Sequence, residues 1–129
     1  LTVKIFASSS APDTDFTAKL IDVWPTGKSY NVADGIIRAR YRESDTKQSL
    51  IKPGKIYEYP IDLMATSNLF KAGHQIRIEV SSSNFPQFDR NPNTGHPFAE
   101  DTDLEIATQR VFHDEKHSSH IVLPVIHRN

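Results

Sequence analysis

Ile76-Arg77-Ile78-Glu79-Val80 alternates apolar and charged side chains without a break. A period of two is the mark of a β-strand with one covered face. The run therefore predicts Ile76, Ile78 and Val80 toward an inter-sheet core, with Arg77 and Glu79 outward. The same period recurs on either side of it. Val3, Ile5 and Ala7 share one face of an opening strand. Phe16, Ala18 and Leu20 share a face of a second, and Ile21 and Val23 take its other face. Gly35 to Arg42 sets Ile37, Ala39 and Tyr41 against Arg38, Arg40 and Arg42. Tyr57, Tyr59, Ile61 and Leu63 alternate around Pro60, which lacks an amide donor and so marks an edge strand or a bulge. Ile106–Phe112 and His120–Val125 complete the set. Asp62 to Lys71 has room for one helical turn, but no segment holds a helical period over a dozen residues. Short strands separated by turn signals predict an all-β fold, a β-sandwich or jelly roll.

The chain has 129 residues, enough for one core and too few for two, so residues 1-129 are expected to form a single β-sandwich domain. Eight Pro against five Gly punctuate it, and 37% hydrophobic with 24% charged residues describes a globular chain rather than a disordered one. Fifteen Lys and Arg against sixteen Asp and Glu leave a net charge of -1, which offers no basic field for nucleic acid or an anionic membrane. The absence of Cys excludes disulfides, thiolate catalysis and Cys-ligated zinc or iron–sulfur centres. No apolar run reaches the ~18 residues of a transmembrane helix, and Leu1–Phe6 has no signal-peptide pattern. A chain that opens on Leu1, inside a strand, reads as part of something longer.

Several apparent motifs fail on their own chemistry. Gly27-Lys28-Ser29 ends like a phosphate-binding loop, but Asp22 stands where the motif's first Gly belongs and no helix follows. There is no G-x-S-x-G nucleophile elbow, so no catalytic residue is expected. His113, His117 and His120 suggest zinc, but a turn between two strands lacks the helical spacing that would converge them. The pairs Asp13/Asp15 and Asp101/Asp103 suggest calcium; two carboxylates are too few for a hard cation, and solvated turns account for them. No metal or cofactor is expected. Trp24, Tyr30, Tyr57, Tyr59 and Phe88 offer material for a sugar-stacking platform, against which stands the ordinary use of strand aromatics in cores.

Three blocks carry a resemblance. They are Ser8–Phe16 running into Lys19–Val23 and Pro25-Thr26-Gly27; Gly73–Gly95, which contains Ser81-Ser82-Ser83-Asn84-Phe85-Pro86-Gln87-Phe88-Asp89-Arg90-Asn91-Pro92-Asn93; and Phe112–Ser119 with Val122–Val125. Together they resemble the C-terminal domain of the cocaine esterase and X-Pro dipeptidyl-peptidase family of serine hydrolases. The resemblance covers nearly the whole chain, and its second block is the most specific. It implies a galactose-binding-like jelly-roll sandwich beside an α/β-hydrolase catalytic domain in cis. It also implies that Ser, Asp and His of the catalytic triad belong to that other domain. Ser118 stands where the family usually has Pro, which implies a looser turn. The insertion Phe98–Asp103 is mostly polar.

The expected function is thus a non-catalytic accessory domain that packs on the hydrolase and helps shape its substrate cleft. The alternative is a free-standing carbohydrate-binding module. The docking residues expected from the second block are Phe85, Phe88, Asp89, Arg90, Asn91 and Asn93, since aromatic, Arg and Asn side chains on a loop suit an interface. Phe85, nearest the strand, is expected to plug the sandwich end, with Phe88 and Arg90 facing the partner and Asp89 and Arg90 open to local pairing.

Overall fold

The computed structural model describes residues 1–97 and 100–127. Val3, Ile5 and Ala7 are buried on one face of β1 (Thr2–Ser9), as their alternation requires. β1 is the axis of the first sheet. On one edge it pairs antiparallel with β4 (Tyr57–Asp62); along the other, β6 (Gln109–Phe112) pairs with Phe6–Ser9 and β7 (His120–Val122) with Thr2–Lys4. Pro60 lies opposite Lys4 in β4, the edge strand, the place in a sheet where a residue without an N–H is tolerated. Ser119 bridges the break between β6 and β7: its hydroxyl accepts from the Phe6 amide at 3.0 Å and donates to the Phe112 carbonyl at 2.6 Å.

The second sheet is β3–β2–β5, built from β2 (Asp15–Val23), β3 (Ser29–Arg38) and β5 (Gln75–Ser81). β2 is central, and all but Lys19 of its residues are buried. Phe16, Ala18 and Leu20 enter the common core with Val3, Ile5, Tyr59 and Ile61 of the other sheet. Phe16 meets Tyr59 across the sheets at 4.8 Å between ring centroids. Between Leu20 and Ile21 the pairing moves from Ala33 to Asn31, so Val32 forms a bulge in β3. The result is a sandwich of two antiparallel sheets. Among the described residues no helix is long and apolar enough to cross a membrane.

Several expectations change; the strands read as Ile106–Phe112 and His120–Val125 are shorter, at Gln109–Phe112 and His120–Val122. β5 has the predicted alternation, but Ile76 is 51% and Val80 38% exposed, and Ile78 is only partly buried against the core. The physical reason is its place at the sheet edge, with no further strand beside it among the described residues. The strand read as Gly35–Arg42 begins at Ser29 and ends at Arg38, because Ala39–Tyr41 turn as a 3-10 helix. That turn puts Arg40 inside the protein, 1% exposed, rather than on an outer strand face. The segment 62–71 holds no helical turn. In the Phe98–Asp103 insertion, Phe98 and Ala99 lie outside the described residues.

Candidate docking surface

The loop from Asn84 to Asn93 leaves β5 and crosses the end of the second sheet. Its start is tied to β3, where the Asn84 side-chain amide donates to Asp34 Oδ2 at 3.0 Å. Its far end is tied to β2 and the segment before it: Asn91 Nδ2 donates to Asp13 Oδ2 and to Asp15 Oδ1, each at 2.9 Å. Asn91 Oδ1 in turn accepts the Asn93 amide at 2.9 Å. Asn93 has φ of 65°, a left-handed conformation that Asn tolerates better than most residues. Its own side chain donates to the Glu105 carbonyl at 2.9 Å. Asn91 and Asn93 therefore set the loop's path.

Beneath the loop lies a group of charges that the alternation did not foretell. Asp13 and Asp15, expected in a solvated turn, are 0% and 1% exposed. Asp13 accepts the Arg40 backbone amide at 2.9 Å and Arg40 Nε at 2.8 Å. Arg40 continues to Gln48 and to the His96 carbonyl. Asp15 is gripped by both arms of Arg38, at 2.9 and 3.1 Å. Guanidinium groups thus sit where a calcium ion would have to, and they complete the carboxylates' hydrogen bonds as burial demands. Burial pushes the Asp15 carboxyl above its ordinary range, and the bonds from Arg38 and Asn91 recover only part of that. Burial also works against the Arg38 charge and is the largest single influence on it, but the bond to Asp15 and the negative charges of Asp15 and Asp89 together outweigh it and leave the guanidinium above its usual value. The asymmetry follows from position, since the Asp15 side chain is 2% exposed and that of Arg38 19%.

The middle of the loop faces outward. Phe85 is 59% exposed, and the Arg90 guanidinium lies over its ring at 4.8 Å from the centroid. Phe88 is the half-buried one of the two, and its amide donates to the Asn84 carbonyl at 3.2 Å. This reverses the expected division, in which Phe85 plugged the sandwich; the turn at Asn84–Phe88 folds Phe88 back and leaves Phe85 out. Asp89 is not paired with Arg90 but reaches Arg38 at 3.3 Å.

The other candidates scatter. Among the described residues no group of three or more His, Asp or Glu could hold a metal ion. His117 is held by Asp114 at 3.0 Å and packs its ring near Phe6 and Phe112, and His120 faces the Ser118 carbonyl. Asp101 takes the Thr94 hydroxyl, which holds its carboxyl below the usual range, and it accepts the Asp103 amide in a tight turn. Of the five sugar-platform aromatics, Tyr59 is fully buried and Tyr57 is covered by Arg42 and Lys55. Trp24 and Tyr30 remain side by side and exposed, 5.0 Å apart.

The family model for the X-Pro dipeptidyl-peptidase C-terminal non-catalytic domain matches residues 1–122. Cocaine esterase of Rhodococcus sp. (strain MB1 Bresler) is 52% identical over 130 residues, covering 99% of this chain and 23% of that protein. The crystal structure of an aminopeptidase from the marine sediment archaeon Thaumarchaeota archaeon superposes with a TM-score of 0.86 at 37% identity, over 92% of this chain and 21% of that one. An α-amino acid ester hydrolase superposes with a TM-score of 0.83 at 32% identity, over 92% and 22%. The chain thus spans less than a quarter of the length of each of these relatives. With the match running from its first residue to the end of β7, the chain belongs to the family of X-Pro dipeptidyl-peptidase C-terminal non-catalytic domains.

Proposed function

We propose that this domain packs in cis on the catalytic domain of an α/β-hydrolase and helps wall the substrate cleft, with the loop Phe85–Asn93 at the contact. The observation that carries this reading is the exposed Phe85–Arg90 stack on a loop pinned at both ends, at Asn84 and Asn91. Aromatic and Arg side chains are the types enriched where interfaces concentrate their energy. A pinned loop presents them with little ordering left to lose on docking. In this reading Phe85 and Arg90 touch the partner. Asp89, Asn91 and Asn93 hold the loop in place, and Phe88 packs beneath it. The nucleophile, base and acid of the hydrolase come from the partner domain.

Arg90→Ala tests this when made both in the 129-residue chain and in the full-length hydrolase. Docking predicts little change in the first, and clear destabilisation or lost esterase activity in the second. Equal destabilisation in both would assign Arg90 to this domain's own fold and remove it from the interface.

A carbohydrate-binding module is the second reading, favoured by the exposed Trp24–Tyr30 pair. Titration with soluble oligosaccharides, read by Trp24 fluorescence, decides it; no spectral change up to millimolar sugar would end that reading.

A further inference from the structure

The two sides of the sandwich are unlike. Where β3 passes the end of β4 the backbones come so close that a Cβ on Gly35 would lie 2.0 Å from the Asp62 carbonyl oxygen. On the opposite side β5, the edge of the second sheet, faces β6 and β7, the edge of the first. There the sheets leave a groove of about 400 Å³. Its walls include Ile78 and Val80 from one sheet and Val111 and Ile121 from the other, with Val3 and Ile5 also lining it. Val80 and Ile76 are 38% and 51% exposed, although the alternation of β5 puts both on its inward face. His113, Ser119 and His120 add a polar border, and open apolar surface rimmed by polar residues marks an interaction site. In addition, alternate amides and carbonyls of β5 point away from β2, a ready template for another strand.

We propose that this groove receives an extended segment of the same polypeptide, from outside residues 1–129. The segment adds to β5 as a fourth strand of the second sheet and lays alternate apolar side chains between Ile78 and Val80 on one wall and Val111 and Ile121 on the other. A strand is the occupant because it can pair the outward amides of β5 while sending every second side chain inward; a helix can do neither. It comes from the same polypeptide because the matching region makes up only 21–23% of the relatives' chains, so most of such a polypeptide lies outside it. A tethered segment also meets its groove at high effective concentration. Arg77 and Glu79 keep the outer face of β5 polar, so only the inward face calls for cover. The inference rests on the reading of this domain as part of a longer hydrolase. It concerns a different face from the Phe85–Asn93 loop, so the two proposals fail separately.

The test places a benzophenone side chain at Val80 of the full-length hydrolase, irradiates it and identifies the captured peptide by mass spectrometry. A second variant carries the probe at Ile76, the more exposed position, in case bulk at Val80 blocks folding. The expected result is an intramolecular cross-link to a segment outside residues 1–129. Amide exchange in the unmodified full-length protein should then be as slow throughout Gln75–Ser81 as in β2. Cross-links between two molecules would give the groove to a second copy and overturn the proposal. Capture confined to residues 1–129, or no capture together with fast exchange at alternate β5 amides, would overturn it equally. Capture at Val80 alongside a harmless Arg90→Ala in the full-length protein would keep the strand and drop only the loop.

Discussion

Arg40 and Asp13 form an ion pair at 2.8 Å with 1% and 0% of their side chains exposed. Such a pair is weak evidence of net stabilisation, because desolvating two charges costs about what their attraction returns. Breaking it is another matter. Arg40→Met strands the Asp13 carboxylate with the Arg40 backbone amide and Asn91 as its remaining partners, and should cost about 3–5 kcal/mol. Asp13→Asn added to Arg40→Met removes the stranded charge and should recover a large part of that loss. Urea denaturation of the two variants and the parent measures both steps. A double variant no better than the single one would show that the pair's charge is not what matters.

Gly35 is set by what it faces. An added Cβ would meet the Asp62 carbonyl oxygen at 2.0 Å, and that neighbour is backbone, which cannot swing aside. Gly35→Ala should therefore cost about 3 kcal/mol by forcing β3 and β4 apart. Gly27→Ala is the control. Its φ of +86° carries a strain of roughly 1–2 kcal/mol, but a Cβ there meets open space. Thermal melts should rank Gly35→Ala well below Gly27→Ala. The reverse order would mean that the sheets do not close at that edge.

These two sites show what sequence can and cannot carry. The alternation of Val3, Ile5 and Ala7 and of Phe16, Ala18 and Leu20 is legible because each stretch lies within one strand, and local period alone decides its faces. Arg40 escapes that period for the same reason. A period of two continued through Ala39–Tyr41 puts it outside, while the turn that takes it inside depends on Asp13, 27 residues earlier. Likewise Asp13 and Asp15 look solvated until Arg38, Arg40 and Asn91 arrive from distant segments. Asn84-Phe85-Pro86-Gln87-Phe88 is visible as a loop, but which Phe it hides is fixed by the turn between Asn84 and Phe88, and sequence spacing favoured the wrong one. β5 shows the remaining gap: its pattern states which face wants cover, and nothing in a pattern says what provides it.

The isolated chain should react with no fluorophosphonate probe and should hydrolyse activated esters no faster than background. A serine becomes reactive only when a base within hydrogen-bond reach takes its proton. The imidazoles of His74 and His117 are each turned toward a carboxylate, Asp22 at 2.7 Å and Asp114 at 3.0 Å. Gel fluorescence after probe treatment, with the full-length hydrolase as the positive lane, measures this. Stoichiometric labelling of any serine in residues 1–129 would place a nucleophile in this domain.

Tyr59 supplies a pH test of the core. It is fully buried, and among the described residues its hydroxyl has no hydrogen-bond partner. Burial pushes that hydroxyl above its ordinary value of 10.0, opposed only in part by the charge of Arg42. The sign follows from proton counting. Above about pH 10 the unfolded chain gives up the tyrosine proton while the folded protein keeps it, so the unfolded state binds fewer protons and stability falls as pH rises. Below that pH the contribution is fully present. Tyr59→Phe keeps the ring against Phe16 and deletes the unpaired hydroxyl. At pH 8 it should be neutral or stabilising by about 1 kcal/mol, since an unmet buried donor is a cost rather than a gain. Its advantage over the parent should widen between pH 8 and pH 10.5, because the variant has lost the group that titrates. Urea denaturation at the two pH values checks both points. A Tyr59→Phe variant less stable than the parent by more than ~1 kcal/mol at pH 8 would mean that the hydroxyl holds a bond in the folded protein, and the alkaline fall would then need another source.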